Sequence, residues 1–121
     1  MEPVFTINGR IWIEKGGEKV LGPGRVELLK RIQASGSIRQ AAVQMEMSYK
    51  QAWDLIKHMN THFKSPVVIS RRGGKGGGNA VVTQEGVDLI QQFHQLQLKF
   101  RAFLISNSAA LNFPETSENQ Q

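Results

Sequence analysis

No cysteine occurs among the 121 residues of this chain. Disulfide scaffolds and thiolate metal sites are therefore excluded, and the count fits a reducing cytoplasm. No apolar stretch approaches the roughly 18 residues that a membrane span needs. The opening MEPVFTINGR has no basic segment followed by an apolar run, so no signal peptide is expected. The expected location is the cytoplasm, away from any membrane. Catalytic equipment is missing too. No paired carboxylates, nucleophile–base arrangement or cofactor loop stands out, so neither an enzyme nor a cofactor is expected. His58 and His62 lie four apart, a spacing zinc uses, but neither His94 nor a glutamate in an H-E-x-x-H run completes a set. No metal is expected, and no small-molecule site is evident.

Acidic residues are scarce where basic ones gather. Between Lys30 and Lys75 there are nine Lys or Arg against only Glu46 and Asp54, whereas Gln84–Ile105 holds two of each sign. The formal net charge is +5. A surplus confined to the middle of the chain suits a polyanionic partner.

The order of elements follows from periodicity and punctuation. Val4–Glu14 has β-rich runs, and Lys19–Leu21 suits a strand pairing back across the Gly16-Gly17 turn. A helix fits Arg25–Ala34 with Val26, Leu28, Leu29 and Ile32 as its apolar face. Ser37 caps a second helix, Ile38–Gln44, and Ser48 caps a third, Tyr49–His62. The third carries Ala52, Ile56, Met59 and Phe63 at helical spacing. Strands are expected at Val67–Ile69 and Ala80–Thr83. A last helix, Gln84–Ile105, repeats Leu89, Phe93, Leu96, Phe100 and Phe103 at steps of four and three, a heptad-like seam. The domain is thus expected to span 1–105, with a dimerisation helix at 84–105 and a flexible polar tail at 106–121.

Between the two later strands lies "SRRGGKGGGNAVVT", residues 70–83. It is not a nucleotide loop. Lys75 is followed by Gly76 rather than Ser or Thr, and a strand rather than a helix comes next. A glycine-rich hairpin tip flanked by Arg71, Arg72 and Lys75 suits a wing lying on a nucleic-acid backbone. The segment "GSIRQAAVQMEMSYKQAWDLIKHM", residues 36–59, has the layout of a helix-turn-helix. The fold expected is α+β, mainly α. It is a winged helix-turn-helix with an N-terminal β-hairpin and a long C-terminal dimerisation helix.

The run "SYKQAWDLIKHMN" at 48–60, with "GGKGGGNAVVTQEG" at 73–86, closely resembles the N-terminal DNA-binding domain of ModE-type molybdate-responsive transcription regulators. "LLKRIQASGSIRQAA", upstream, matches in kind. "SRR…VVTQEG" has a looser likeness to LysR-type winged helices. The resemblance implies a homodimer on double-stranded DNA, acting at genes for molybdate transport or molybdoenzymes. It implies that the helix from Ser48 enters the major groove and that the long helix makes the dimer. The family's molybdate-binding domains have no counterpart within these residues, so no seat for molybdate is expected. Glu46 fills the turn slot that usually holds glycine. The candidate DNA contacts are Arg39, Ser48, Tyr49, Lys50, Gln51, Lys57, Arg71, Arg72, Lys75 and Gly76. Trp53 is expected to pack inward and Asp54 to orient Lys50 or Lys57. The alternative is a winged-helix module that uses the long helix to bind a partner protein.

Overall fold

The computed structural model describes residues 3–71 and 79–116. The Gly16-Gly17 turn, with φ of 60° and 83°, joins β1 (Ile13–Lys15) to β2 (Glu18–Leu21) as an antiparallel hairpin. Both turn residues need positive φ, which glycine adopts without steric cost. Helix α1 (Pro23–Ser35) follows, with proline in its first turn, and ends on Gly36 at φ 69°. Helices α2 (Ile38–Gln44) and α3 (Tyr49–His62) start on the Ser37 and Ser48 hydroxyls, which accept from the amides of Gln40 and Gln51. Each such cap contributes about 1 kcal/mol.

Strands β3 (Val68–Arg71) and β4 (Asn79–Val82) pair antiparallel, Val68 opposite Val82 and Arg71 opposite Asn79. Helix α4 (Gln84–Ala109) starts on Thr83. The architecture is the winged helix-turn-helix expected from the sequence. No helix among the described residues is long and apolar enough to cross a membrane.

One core holds the helices and the wing together. Val26, Leu28, Leu29 and Ile32 of α1 meet Ile38, Ala41 and Ala42 of α2, Ala52, Ile56 and Met59 of α3, and Phe93 of α4. Val67, Val68 and Ala80 close it from the wing. The three alanines keep the short helices close; a larger side chain there would overpack. The stripe read at Ala52, Ile56 and Met59 is fully buried, while Phe63 packs only partly against it.

Two expectations are corrected. The β-rich run from Val4 does not form a strand until Ile13. Its earlier part is tied to α4 instead. The Ile7 amide donates to the buried Ser108 hydroxyl at 2.7 Å, and Gly9 lies against the Phe100 ring. Second, α4 runs on to Ala109, so the residues expected to open the tail, 106–109, form its last turn. That turn is held because Ser108 receives the Ile7 amide, a contact between residues about a hundred positions apart that no local polarity signal reveals.

The wing is fastened at its base. Asn60 Oδ1 accepts from the Val67 amide at 2.7 Å, and its Nδ2 donates to the Val68 carbonyl at 3.1 Å. The Ala80 amide donates to the Gly36 carbonyl, and the Thr83 amide to that of Val67. Gly86, in the first turn of α4, faces this junction. A Cβ there would stand 2.5 Å from the Val67 carbonyl oxygen and 2.6 Å from Val82 Cγ1. Because one of these neighbours is backbone, relief requires α4 or the wing to shift. Gly86→Ala is expected to destabilise the fold by about 1–3 kcal/mol, as overpacking does, despite alanine's better helix propensity. Urea denaturation checks this; an unchanged midpoint contradicts the close approach.

Candidate nucleic-acid interface

Burying Ala52, Ile56 and Met59 of α3 leaves Lys50, Gln51, Asp54 and Lys57 exposed on other faces of the helix. The Ser48 cap orients the first turn, so Tyr49, Lys50 and Gln51 stand at its exposed start. The Lys50 side chain is 85% exposed and its ammonium donates to Asp54 Oδ2 at 2.8 Å. This hydrogen bond holds the Asp54 carboxyl below its ordinary range and raises the Lys50 ammonium. Both side chains are exposed, so the pair orients Lys50 rather than stabilising the fold.

Aromatic rings hold two more cations. The Arg39 guanidinium, on α2, lies 4.5 Å from the centre of the Tyr49 ring, so the two motif helices share one basic edge. The Lys57 ammonium is 5.8 Å from the Trp53 ring, and Tyr49 meets Trp53 edge-on at 6.4 Å. Trp53 is half-buried and packs against the core, as expected. Contacts of this kind contribute about 0.5–1 kcal/mol when exposed and restrict where the charge can point.

Arg71, exposed, is the last residue of β3. Arg72, Lys75 and Gly76 lie outside the described residues. Of the ten candidate contacts, Arg39, Ser48, Tyr49, Lys50, Gln51 and Lys57 thus lie on the α2–α3 motif, and Arg71 lies on the wing. Sequence reasoning missed Asn60. It contacts no candidate partner, yet it fixes where β3 leaves α3; a lone polar residue near a helix end gave no signal of this.

The heptad seam of α4 is divided. Phe93 is fully buried in the chain's own core and has no surface left for another chain; Leu89 packs partly against the same core. Phe100 is half-buried beneath Gly9 and stacks on Phe103 at 6.4 Å. Leu96 and Phe103 remain 42% and 54% exposed. The seam reads as one line in sequence because a straight helix repeats every 3.6 residues regardless of what covers each end.

Comparison with known proteins bears out the resemblance read from the residues. No protein-family model matches the chain. It is 46% identical over 91 residues to the DNA-binding transcriptional dual regulator ModE of Escherichia coli, covering 74% of this chain and 35% of that protein. It is 39% identical over 100 residues to the molybdenum-pterin-binding protein MopB of Rhodobacter capsulatus, covering 83% and 37%. The molybdenum transport protein ModE of Azotobacter vinelandii is 35% identical over 92 residues, 76% of this chain and 34% of that one. The chain therefore spans about a third of the length of these relatives, and over that stretch it is a relative of the ModE-type regulators.

The turn between α2 and α3 carries strain. Glu46, in the turn slot that usually holds glycine, has φ 55°, the one left-handed backbone among the described non-glycine residues. The Met47 amide nevertheless donates back to Ala42, keeping the tight turn. A non-glycine side chain in this conformation costs about 1–2 kcal/mol, whereas glycine loosens the unfolded chain by about 0.5–1 kcal/mol. Glu46→Gly is therefore expected to stabilise the protein by about 0.5–1 kcal/mol, read as a melting temperature a few degrees higher. A lower melting temperature would contradict the strain.

Proposed function

We propose that this chain is a DNA-binding unit of a transcription regulator, acting as a homodimer on genes of molybdate transport or molybdoenzymes. The observation that carries the reading is the outer face of α3. Its buried side is spent on the core, and its exposed residues include Tyr49, Lys50, Gln51 and Lys57, with Arg39 lying over the Tyr49 ring and the exposed Arg71 on the wing that follows. An α-helix of this exposure fits the major groove, where lysine pairs with guanine and glutamine with adenine. The names of the relatives, transcriptional regulators and molybdenum proteins, support the same class and its targets. Base reading is assigned to Lys50 and Gln51, phosphate contact to Arg39, Lys57 and Arg71. Arg72, Lys75 and Gly76 are assigned to the same backbone contact from their place in the sequence.

Dimerisation is assigned to the exposed half of α4, with Leu96, Phe100 and Phe103 rather than Leu89 and Phe93. Leu98 and Ile105 are also exposed there, so this half of the helix carries more free apolar surface than α3 does. A two-fold dimer would place its α3 helices on half-sites about one or more DNA turns apart, in a palindromic operator.

Selection from random duplexes, followed by fluorescence anisotropy, tests the assignment. The wild type is expected to enrich a palindrome and bind it about a thousandfold or more tighter than scrambled DNA. Lys50→Ala is expected to relax preference at one base pair of each half-site, costing about 1–3 kcal/mol there. Arg71→Ala is expected to weaken all duplexes alike and flatten the salt dependence by about one unit of log–log slope. Failure to enrich any sequence overturns the regulator reading and favours a partner-protein module.

Sedimentation equilibrium tests the dimer. The wild type is expected to run at twice the chain mass, and Phe103→Glu at the mass of one chain with unchanged circular dichroism. A monomeric wild type would remove the assignment of α4.

A further inference from the structure

On the side of the molecule where β2 meets the end of α3 lies a cluster that takes no part in the proposed DNA contact. His58 and His62 are four residues apart on α3, so their rings project from one face of the helix. The ring centres are 4.4 Å apart. Glu18, the first residue of β2, reaches across to both. Its Oε1 is 2.8 Å from His58 Nε2, and its Oε2 is 3.5 Å from His62 Nε2. The three donor atoms all lie within 4.8 Å of one another. Both imidazoles are half-buried and the carboxylate is exposed, so the cluster has protein walls and an open mouth.

The sequence argued against a metal because the histidine pair had no third ligand. The fold supplies one from forty residues away. We propose that Glu18, His58 and His62 bind a first-row transition-metal ion, zinc being the best match, with the fourth position left to water.

Two imidazoles and one carboxylate form a donor set that suits zinc. Around a tetrahedral ion with ligands at about 2.0–2.1 Å, neighbouring donors stand about 3.3 Å apart. The two carboxylate oxygens stand 2.8 Å and 3.5 Å from the two imidazole nitrogens, one on either side of that spacing, so a small turn of the carboxylate brings one oxygen to both. A plain histidine–glutamate hydrogen bond explains His58. It does not explain His62, whose 3.5 Å approach to the second carboxylate oxygen is long for a hydrogen bond and close to the donor spacing around a shared ion.

The surroundings set the selectivity. The Lys15 ammonium donates to the His62 carbonyl at 2.7 Å, and Arg25 acts on the Glu18 carboxyl. These cations disfavour calcium and magnesium, which depend on accumulated oxygen charge. Imidazole ligation survives because it rests on a directed nitrogen lone pair. His58 Nδ1 is buried with no hydrogen-bond partner. An outer partner on a ligating histidine typically contributes 10–100-fold in affinity. A micromolar site is expected, not a nanomolar one. The ion would tie the β1–β2 hairpin to the C-terminal end of α3.

The test uses the full chain without an affinity tag, stripped of metal by a chelator. Cobalt is titrated and the visible spectrum followed. The expected result is one equivalent of cobalt with the intense bands of four-coordinate ligation, displaced by zinc. Saturating zinc is expected to raise the melting temperature by on the order of 10 °C at a hundredfold excess over Kd. His58→Gln and His62→Gln are each expected to weaken binding tenfold or more, and His94→Gln, on α4, to leave it unchanged. Glu18→Gln guards against misfolding, since Glu18 is exposed and glutamine retains an oxygen for His58. Loss of the cobalt bands in that variant, with unchanged circular dichroism, supports the site. The pale spectrum of hydrated cobalt with wild type, or equal binding by all variants, overturns it.

Discussion

The backbone of Val67 is where the working parts of the molecule meet. Its amide is held by the Asn60 side chain of α3, its carbonyl accepts from the Thr83 amide at the head of α4, and its side chain is fully buried. Gly86 leaves room for that carbonyl. The Thr83 hydroxyl caps α4 through the Gly86 amide and donates to the neighbouring Pro66 carbonyl. Leaving such a buried amide without its acceptor costs about 1–3 kcal/mol. The angle at which the wing leaves α3 is therefore set by a few directed bonds rather than by apolar packing, which has no direction.

With that junction fixed, charge can be arranged on a rigid frame. Lys50 is steered by Asp54, Arg39 by Tyr49 and Lys57 by Trp53. None of these contacts contributes much to stability, because the three cations are exposed to water. Their effect is to limit the positions each cation samples, which lowers the entropy lost when a partner arrives. The strained Glu46 turn belongs to the same economy of position. It keeps the spacing of α2 and α3 at a cost the core of alanines and branched side chains can bear.

Helix α4 is about 39 Å long and serves two purposes along its length. Its first half puts Phe93 into the core. Its second half extends past the core, covered in part by the N-terminal segment through Ile7 and Gly9. Leu96 and Phe103 stay exposed there, beyond the part of the helix that the core covers.

Much of this was legible in the residues. Ser37, Ser48 and Thr83 each precede a periodic run, and each caps the helix expected of it. The apolar stripes of α1 and α3 follow from helical spacing, up to Phe63 where the helix ends, and the awkward slot of Glu46 follows from its place in the turn. These signals are local: a cap acts over three residues and a helical stripe repeats within a turn. Asn60 was invisible because its partners are seven and eight residues away beyond a helix end. The N-terminal strap, the inward Phe93 and the approach of Glu18 to two histidines depend on contacts across 40 to 101 residues, or on which half of a helix the core covers.

The sequence by itself determined the four helices and the two wing strands in their order, the basic middle of the chain and the kinship with ModE-type regulators. Periodicity, capping and charge act over a few residues and survive in any compact arrangement. Tertiary structure alone decided which apolar residues of α4 remain free, how the wing is fastened, and that a carboxylate from a hairpin meets an imidazole pair. Those depend on distances between elements, which are fixed only when the core closes.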